Sequence, residues 1–123
     1  MLNPINPTTG TALPEVESLT LAEAEDTIGQ AVAAAPAWAA MSYSERAKCL
    51  INIAAEMRKS KDELAQLMAK EMGKPLREGL GEVEKSAFCA EYYADNGEAF
   101  LEPETLASDA TDSYVCHQPL GTV

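Results

Sequence analysis

Apolar residues recur every three or four positions through most of this chain. Ala47, Leu50, Ile51, Ala54 and Met57 fall on one face of a helix, and Leu64, Leu67, Met68 and Met72 on one face of the next. Leu76, Leu80, Val83, Ala87, Ala90 and Ala94 keep the same spacing over a longer stretch. The 3.6-residue period of the α-helix accounts for all three runs. Arg46, Lys48, Glu56, Arg58 and Lys59 lie largely outside the apolar stripe of their segment.

Local signals predict where these helices begin and end. Thr20 to Glu23, Ser42 to Glu45 and Ser60 to Glu63 each match a capping box, in which a hydroxyl and a carboxylate satisfy each other's orphan backbone N–H groups. The first of four helices is expected to run from Thr20 to about Ala35, where Pro36 ends it. Trp38 then falls in a short connector and reads as a core plug, given the area a tryptophan buries. Gly73 is placed just past the third helix, where a left-handed residue is needed. Pro75 restarts the chain in the first turn of the fourth, which should reach about Phe100. Gly79 and Gly81 should weaken that helix by roughly 1 kcal/mol each relative to alanine. Phe88 and Tyr92 form a second apolar pair four residues apart, so contact on two sides is expected.

The two ends do not read as helix. Asn6-Pro7-Thr8-Thr9-Gly10 is a turn flanked by Leu2–Ile5 and Ala12–Val16, which predicts a hairpin over 1–19. Pro4 and Pro14 restrict its arms to edge or irregular strands. Glu102–Asp112 reads as an exposed acidic loop, and Ser113–Val123 as an extended segment leading into a further apolar strand. A strand needs neighbours for its N–H and C=O groups, and a mostly helical chain offers few. The pattern therefore reads as the opening part of a larger protein. The expected fold class is mainly α, with four helices, an N-terminal β-hairpin and a C-terminal strand.

The chain has 123 residues, one domain's worth, and its 46% hydrophobic content is that of a globular protein. No stretch approaches the ~20 apolar residues of a membrane span, and the N-terminus lacks the pattern of a signal peptide. A soluble cytoplasmic protein is expected. The net charge of −11 argues against partners such as nucleic acid or anionic membrane, which need a basic face. The acid is assigned to solvated helix faces.

Candidate chemistry is sparse. Cys49, Cys89 and Cys116 form no CxxC pair, so neither a zinc site nor a disulfide framework is indicated. Cys49 and Cys89 lie in predicted helices and read as small buried hydrophobes. Cys116 adjoins the only histidine, His117, but neighbours in a strand point to opposite faces and form no nucleophile–base pair. His117 alone is no metal site. Gly79-Leu80-Gly81 lies in a helix, without the preceding strand of a dinucleotide fingerprint. No residue is assigned to catalysis, cofactor binding or metal binding.

Several motifs nonetheless stand in a familiar order. Asn6 to Gly10, Pro36-Ala37-Trp38 after an Ala-rich helix, Glu45-Arg46-Ala47, and Glu71 to Pro75 followed by Gly81-Glu82-Val83 resemble the beginning of an NAD(P)-dependent aldehyde dehydrogenase. Glu82 to Ala87, Tyr92 to Gly97 and Pro119 to Thr122 look most like the succinate-semialdehyde dehydrogenase branch. The resemblance covers essentially the whole chain.

It implies a parent with an α/β fold, a Rossmann-like cofactor domain and a homo-oligomeric state, oxidising an aldehyde to an acid with NAD or NADP. Residues 1–112 would be the N-terminal helical part of that cofactor domain, with the hairpin at 1–19 and helices over 20–101. Residues 113–123 would begin the oligomerisation arm and lead into the cofactor-domain sheet. The family's nucleophilic cysteine, its glutamate and its phosphate-binding glycine motif have no matching positions here. The chain alone is therefore expected to bind no cofactor, to be inactive, and to fold poorly without the remainder of the dehydrogenase or a homologous subunit. The alternative is a stand-alone acidic helical interaction module, acting as a decoy subunit for a full-length dehydrogenase.

Overall fold

Four helices follow one another without an intervening strand in the computed structural model, which describes residues 1–123. They are α1 (Leu21–Ala40), α2 (Tyr43–Lys59), α3 (Lys61–Met72) and α4 (Leu76–Phe100). Two short strands, β1 (Glu104–Thr105) and β2 (Tyr114–Val115), complete the chain. The mainly helical class read from the periodicity is the one observed.

Two of the three capping boxes form. Thr20 N–H donates to Glu23 Oε2 at 2.8 Å, and Glu23 N–H donates back to Thr20 Oγ1 at 3.3 Å. Ser42 and Glu45 repeat the arrangement at 2.8 and 3.3 Å. The third, at Ser60 and Glu63, does not form. Ser60 closes α2, its N–H bonded to the Glu56 carbonyl at 3.0 Å, so that donor is not free for Glu63. Its backbone, at φ −95° and ψ 15°, is not the extended conformation of a cap.

The expected stop at Pro36 is also corrected, because α1 runs through the proline to Ala40. Proline removes the N–H that would bond the Val32 carbonyl and disfavours a helix interior. The alanines on both sides have the highest helix propensity of any residue. No residue of α1 is buried, so water reaches the carbonyls the proline leaves unpaired. Trp38 consequently rides on the last turn of α1 and stays 48% exposed, rather than plugging a core.

The core lies where α2 and α3 pack on α4. Its buried members are Ala54 of α2, Ala65 of α3, and Gly79, Val83 and Ala87 of α4. The last three recur every four residues and form a ridge of small side chains. At Gly79 a Cβ atom would stand 3.2 Å from the Cα, Cβ and carbonyl oxygen of Ala65. That glycine is the condition for α3 and α4 to approach so closely. The contact face of α3 thus centres on Ala65, while Leu67 and Met72 of the expected stripe face outward, as does Leu76 of α4. Phe88 and Tyr92 are exposed as well, so the second face of α4 is uncovered.

The N-terminal hairpin is present as two antiparallel bridges, Leu2 to Val16 and Ile5 to Ala12. Its turn rests on the α3–α4 corner. Gly73 there has φ 70°, and a Cβ on it would meet Pro7 Cγ at 3.1 Å. At the other end, β1 pairs antiparallel with β2, Glu104 opposite Val115 and Thr105 opposite Tyr114. Tyr114–Val115 therefore finds its partner inside the stretch read as loop. Residues 116–123 form no strand, against expectation, and Leu120 and Val123 are fully open to solvent.

Only 5 of the 123 residues are buried, and the accessible surface is 9654 Å². A compact chain of 13.1 kDa exposes about 6,400 Å², so roughly half as much again is uncovered here.

The two glycines of α4 should respond to alanine with opposite signs. Gly81 has nothing within 4 Å of an added Cβ, so Gly81→Ala should stabilise by roughly 0.5–1 kcal/mol through helix propensity. Gly79→Ala meets backbone that cannot swing aside, and overpacking should outweigh that gain, leaving a net loss of roughly 1 kcal/mol. Urea unfolding of both variants checks the contrast, and equal signs would refute the packing argument.

Candidate functional site

A cleft lies between the end of α1, the start of α2 and the C-terminal segment, with a volume of about 550 Å³. Trp38 and Met41 form part of its apolar wall, Leu101 closes one side, and His117, Gln118 and Pro119 reach it from beyond β2. Arg46, in the first turns of α2, is its cationic member. One guanidinium nitrogen of Arg46 donates to the Met41 carbonyl at 2.6 Å and lies 3.4 and 3.5 Å from the Trp38 and Ala39 carbonyls. The guanidinium also lies 4.7 Å from the centroid of the Tyr43 ring. The helix dipole favours this placement, since cations are stabilised near unpaired C-terminal carbonyls.

The second polar cluster joins α2 to α4. Arg58 Nε donates to Glu84 Oε1 at 2.7 Å, and its terminal nitrogens pair bidentately with the Glu91 carboxylate. Lys61 reaches Glu84 Oε2 at 3.3 Å. Glu84 and Glu91 are seven residues apart and so share one face of α4. Lys74 pairs with Glu82 across the turn before α4. Sequence reasoning left Arg46 and Arg58 on solvated surfaces. Only their partners distinguish them from Lys48 and Lys59: those of Arg46 lie at the adjoining end of α1, and those of Arg58 are set by the packing of α2 on α4.

Neither cluster contains a nucleophile with a base. Cys49 is half-buried, whereas Cys89 and Cys116 are exposed, which corrects the expectation that Cys89 is buried. Cys89 follows Phe88 on the outer side of α4, which nothing covers. Among the cleft residues His117 carries the only imidazole, and Cys116 is not one of them. No group of three His, Cys, Asp or Glu side chains is placed to hold a metal. Gly79 is pressed against Ala65, and Gly81 sits within α4 rather than in a strand-to-helix loop.

What the geometry defines is a packed trio of helices, α2, α3 and α4, with uncovered helical faces around it. The same arrangement occurs within a solved succinic semialdehyde dehydrogenase from Streptococcus pyogenes, in complex with NADP+. The two superimpose with a TM-score of 0.84 at 30% identity, over 93% of this chain and 25% of that one. Residues 1–123 match the aldehyde dehydrogenase family throughout, and the chain belongs to that family. It is 38% identical over 119 residues to the succinate-semialdehyde dehydrogenase [NADP(+)] of Deinococcus radiodurans, covering 97% of this chain and 25% of the relative. Against the chloroplastic betaine aldehyde dehydrogenase of Amaranthus hypochondriacus identity is 35%, over 97% and 26%. The chain thus spans about a quarter of the length of the curated relatives it matches.

The charge network should register in acid. Glu91 is held below the usual carboxylate range by hydrogen bonds from Arg58, and Glu84 by those from Arg58 and then Lys61. Glu82 is lowered by Lys74 and then Lys85, and Glu23 and Glu45 by their capping partners Thr20 and Ser42. Each of these groups binds its proton more tightly in the unfolded chain than in the folded one. Their contribution is full above the ordinary value of 4.5 and is lost as pH falls through the lowered folded values. Arg58 and Glu91 keep 34% and 35% of their side-chain surface, so solvent screening makes the effect modest. The thermal midpoint should stay level from pH 7 to about 5 and decline below 4.5, with a shallower decline in Arg58→Met. An unaltered acid slope in that variant would show that the network does not hold α2 to α4.

Proposed function

We propose that this chain is the N-terminal segment of an NAD(P)-dependent aldehyde dehydrogenase that oxidises succinate semialdehyde to succinate. The family match over residues 1–123 carries the reading. Support for the substrate comes from the relatives: the Deinococcus radiodurans protein is a succinate-semialdehyde dehydrogenase, as is the Streptococcus pyogenes structure. The Amaranthus relative, at 35%, acts on a different aldehyde, so the substrate is the finer part of the proposal.

The role of the chain in this reading is structural. The α2–α3–α4 packing holds its shape, and the uncovered faces of α1 and α4 seat it against the rest of the cofactor domain. Thiolate attack, hydride transfer to NAD or NADP and hydrolysis of the acyl group belong to other segments of the parent. A homo-oligomeric state and a cytoplasmic location are parts of the same proposal, resting on the resemblance.

The test is a chimera. Residues 1–123 replace the corresponding quarter of the Deinococcus radiodurans enzyme, and NADP reduction is followed with succinate semialdehyde and with betaine aldehyde. The chain alone should give no aldehyde-dependent reduction, and the chimera should reduce NADP with succinate semialdehyde in preference. Turnover by the 123-residue chain would overturn the structural role. A chimera that folds but is inactive would overturn the assignment to this branch. The intact mass of the protein in its source cells should be about four times 13.1 kDa, given the share of its relatives that the chain spans.

A further inference from the structure

Helix α1 is twenty residues long, yet it buries none of them and makes no substantial contact with another element. Leu21, Ile28, Val32, Ala35 and Ala39 fall on one face of it, all but the half-buried Ala35 open to solvent. The link from α1 to α2 is Met41 and Ser42, both extended, at φ −66° and ψ 144° and at φ −63° and ψ 159°. Arg46 bridges this link from the α2 side. Its hydrogen bond to the Met41 carbonyl is short, and the Trp38 and Ala39 carbonyls lie at the edge of hydrogen-bonding range. Stacking on Tyr43 fixes the plane of the guanidinium, so its donors point back along α1.

We infer that Arg46 is a clasp that sets the angle between α1 and α2, and so aims the apolar face of α1 before anything covers it. The clasp is a positioning device and is independent of the reaction the parent performs. A lysine at this place would supply a point charge on a flexible stem, without the planar guanidinium that lies over the Tyr43 ring. Pre-organisation of this kind lowers the ordering cost when the α1 face docks.

The experiment measures the α1–α4 distance in the 123-residue chain by electron–electron double resonance. Spin labels are placed by Glu25→Cys and Ser86→Cys in a background carrying Cys49→Ala, Cys89→Ser and Cys116→Ser. With Arg46 intact a single narrow distance peak is expected. In Arg46→Met that narrow peak should be lost and replaced by a broad distribution, while helix content by circular dichroism is retained. Lys48→Met, two residues further along α2, should leave the peak as it was. Three outcomes would overturn the proposal. One is a peak as broad with Arg46 as without it. Another is a peak equally narrow in Arg46→Met. The third is equal broadening in both variants or loss of helix content in Arg46→Met, either of which would make the effect general unfolding rather than release of α1.

Discussion

The closeness of α3 and α4 is the constraint on which the rest depends. Four of the five buried residues are alanine or valine and the fifth is glycine, so little apolar volume is available to hold the helices together. Such a core works only if the backbones come near enough for small side chains to fill the gap. Gly79 against Ala65 provides that approach. Once α3 sits there, Ser60 must serve as the end of α2 and the start of α3 at once, and α2 is brought along the other side of α4. Arg58 then meets Glu84 and Glu91, which would be mere surface charges on an isolated helix.

The outward surfaces tell a complementary story. α1 has an apolar stripe with no facing element, α4 carries Phe88, Tyr92 and Tyr93 on its outer side, and the last residues lie open. The accessible area is about half again that of a compact chain of this mass. It agrees with membership of a family whose curated relatives are about four times as long. The polar groups follow the same division. The capping boxes and the Arg46 bonds finish helix ends locally, whereas the Arg58 network is the one cluster that ties two helices together over a long sequence separation.

Much of this was legible in the residues alone. Helix positions follow from 3.6-residue periodicity, which a chain displays whatever packs on it. The boxes at Thr20 and Ser42, the left-handed Gly73 and the turn at Asn6 to Gly10 are all local chemistry, closed within a few residues, and all are present.

Tertiary structure decided what depends on neighbours. Whether Pro36 ends α1 turns on whether water can reach the carbonyls it leaves unpaired, and that depends on nothing covering the helix. Whether Ser60 caps α3 turns on whether its N–H is already used by α2. Whether Gly79 is a weakness or a necessity turns on Ala65, fourteen positions earlier in the chain. Tyr114–Val115 read as a strand without a partner because a two-residue strand at Glu104–Thr105 carries no period to detect. Charges behave alike: a guanidinium looks the same in sequence at Arg58 and Arg77, and only the packed helices give the first its carboxylates. Local rules govern the ends and faces of helices, while the meaning of each face is set by what the fold brings against it.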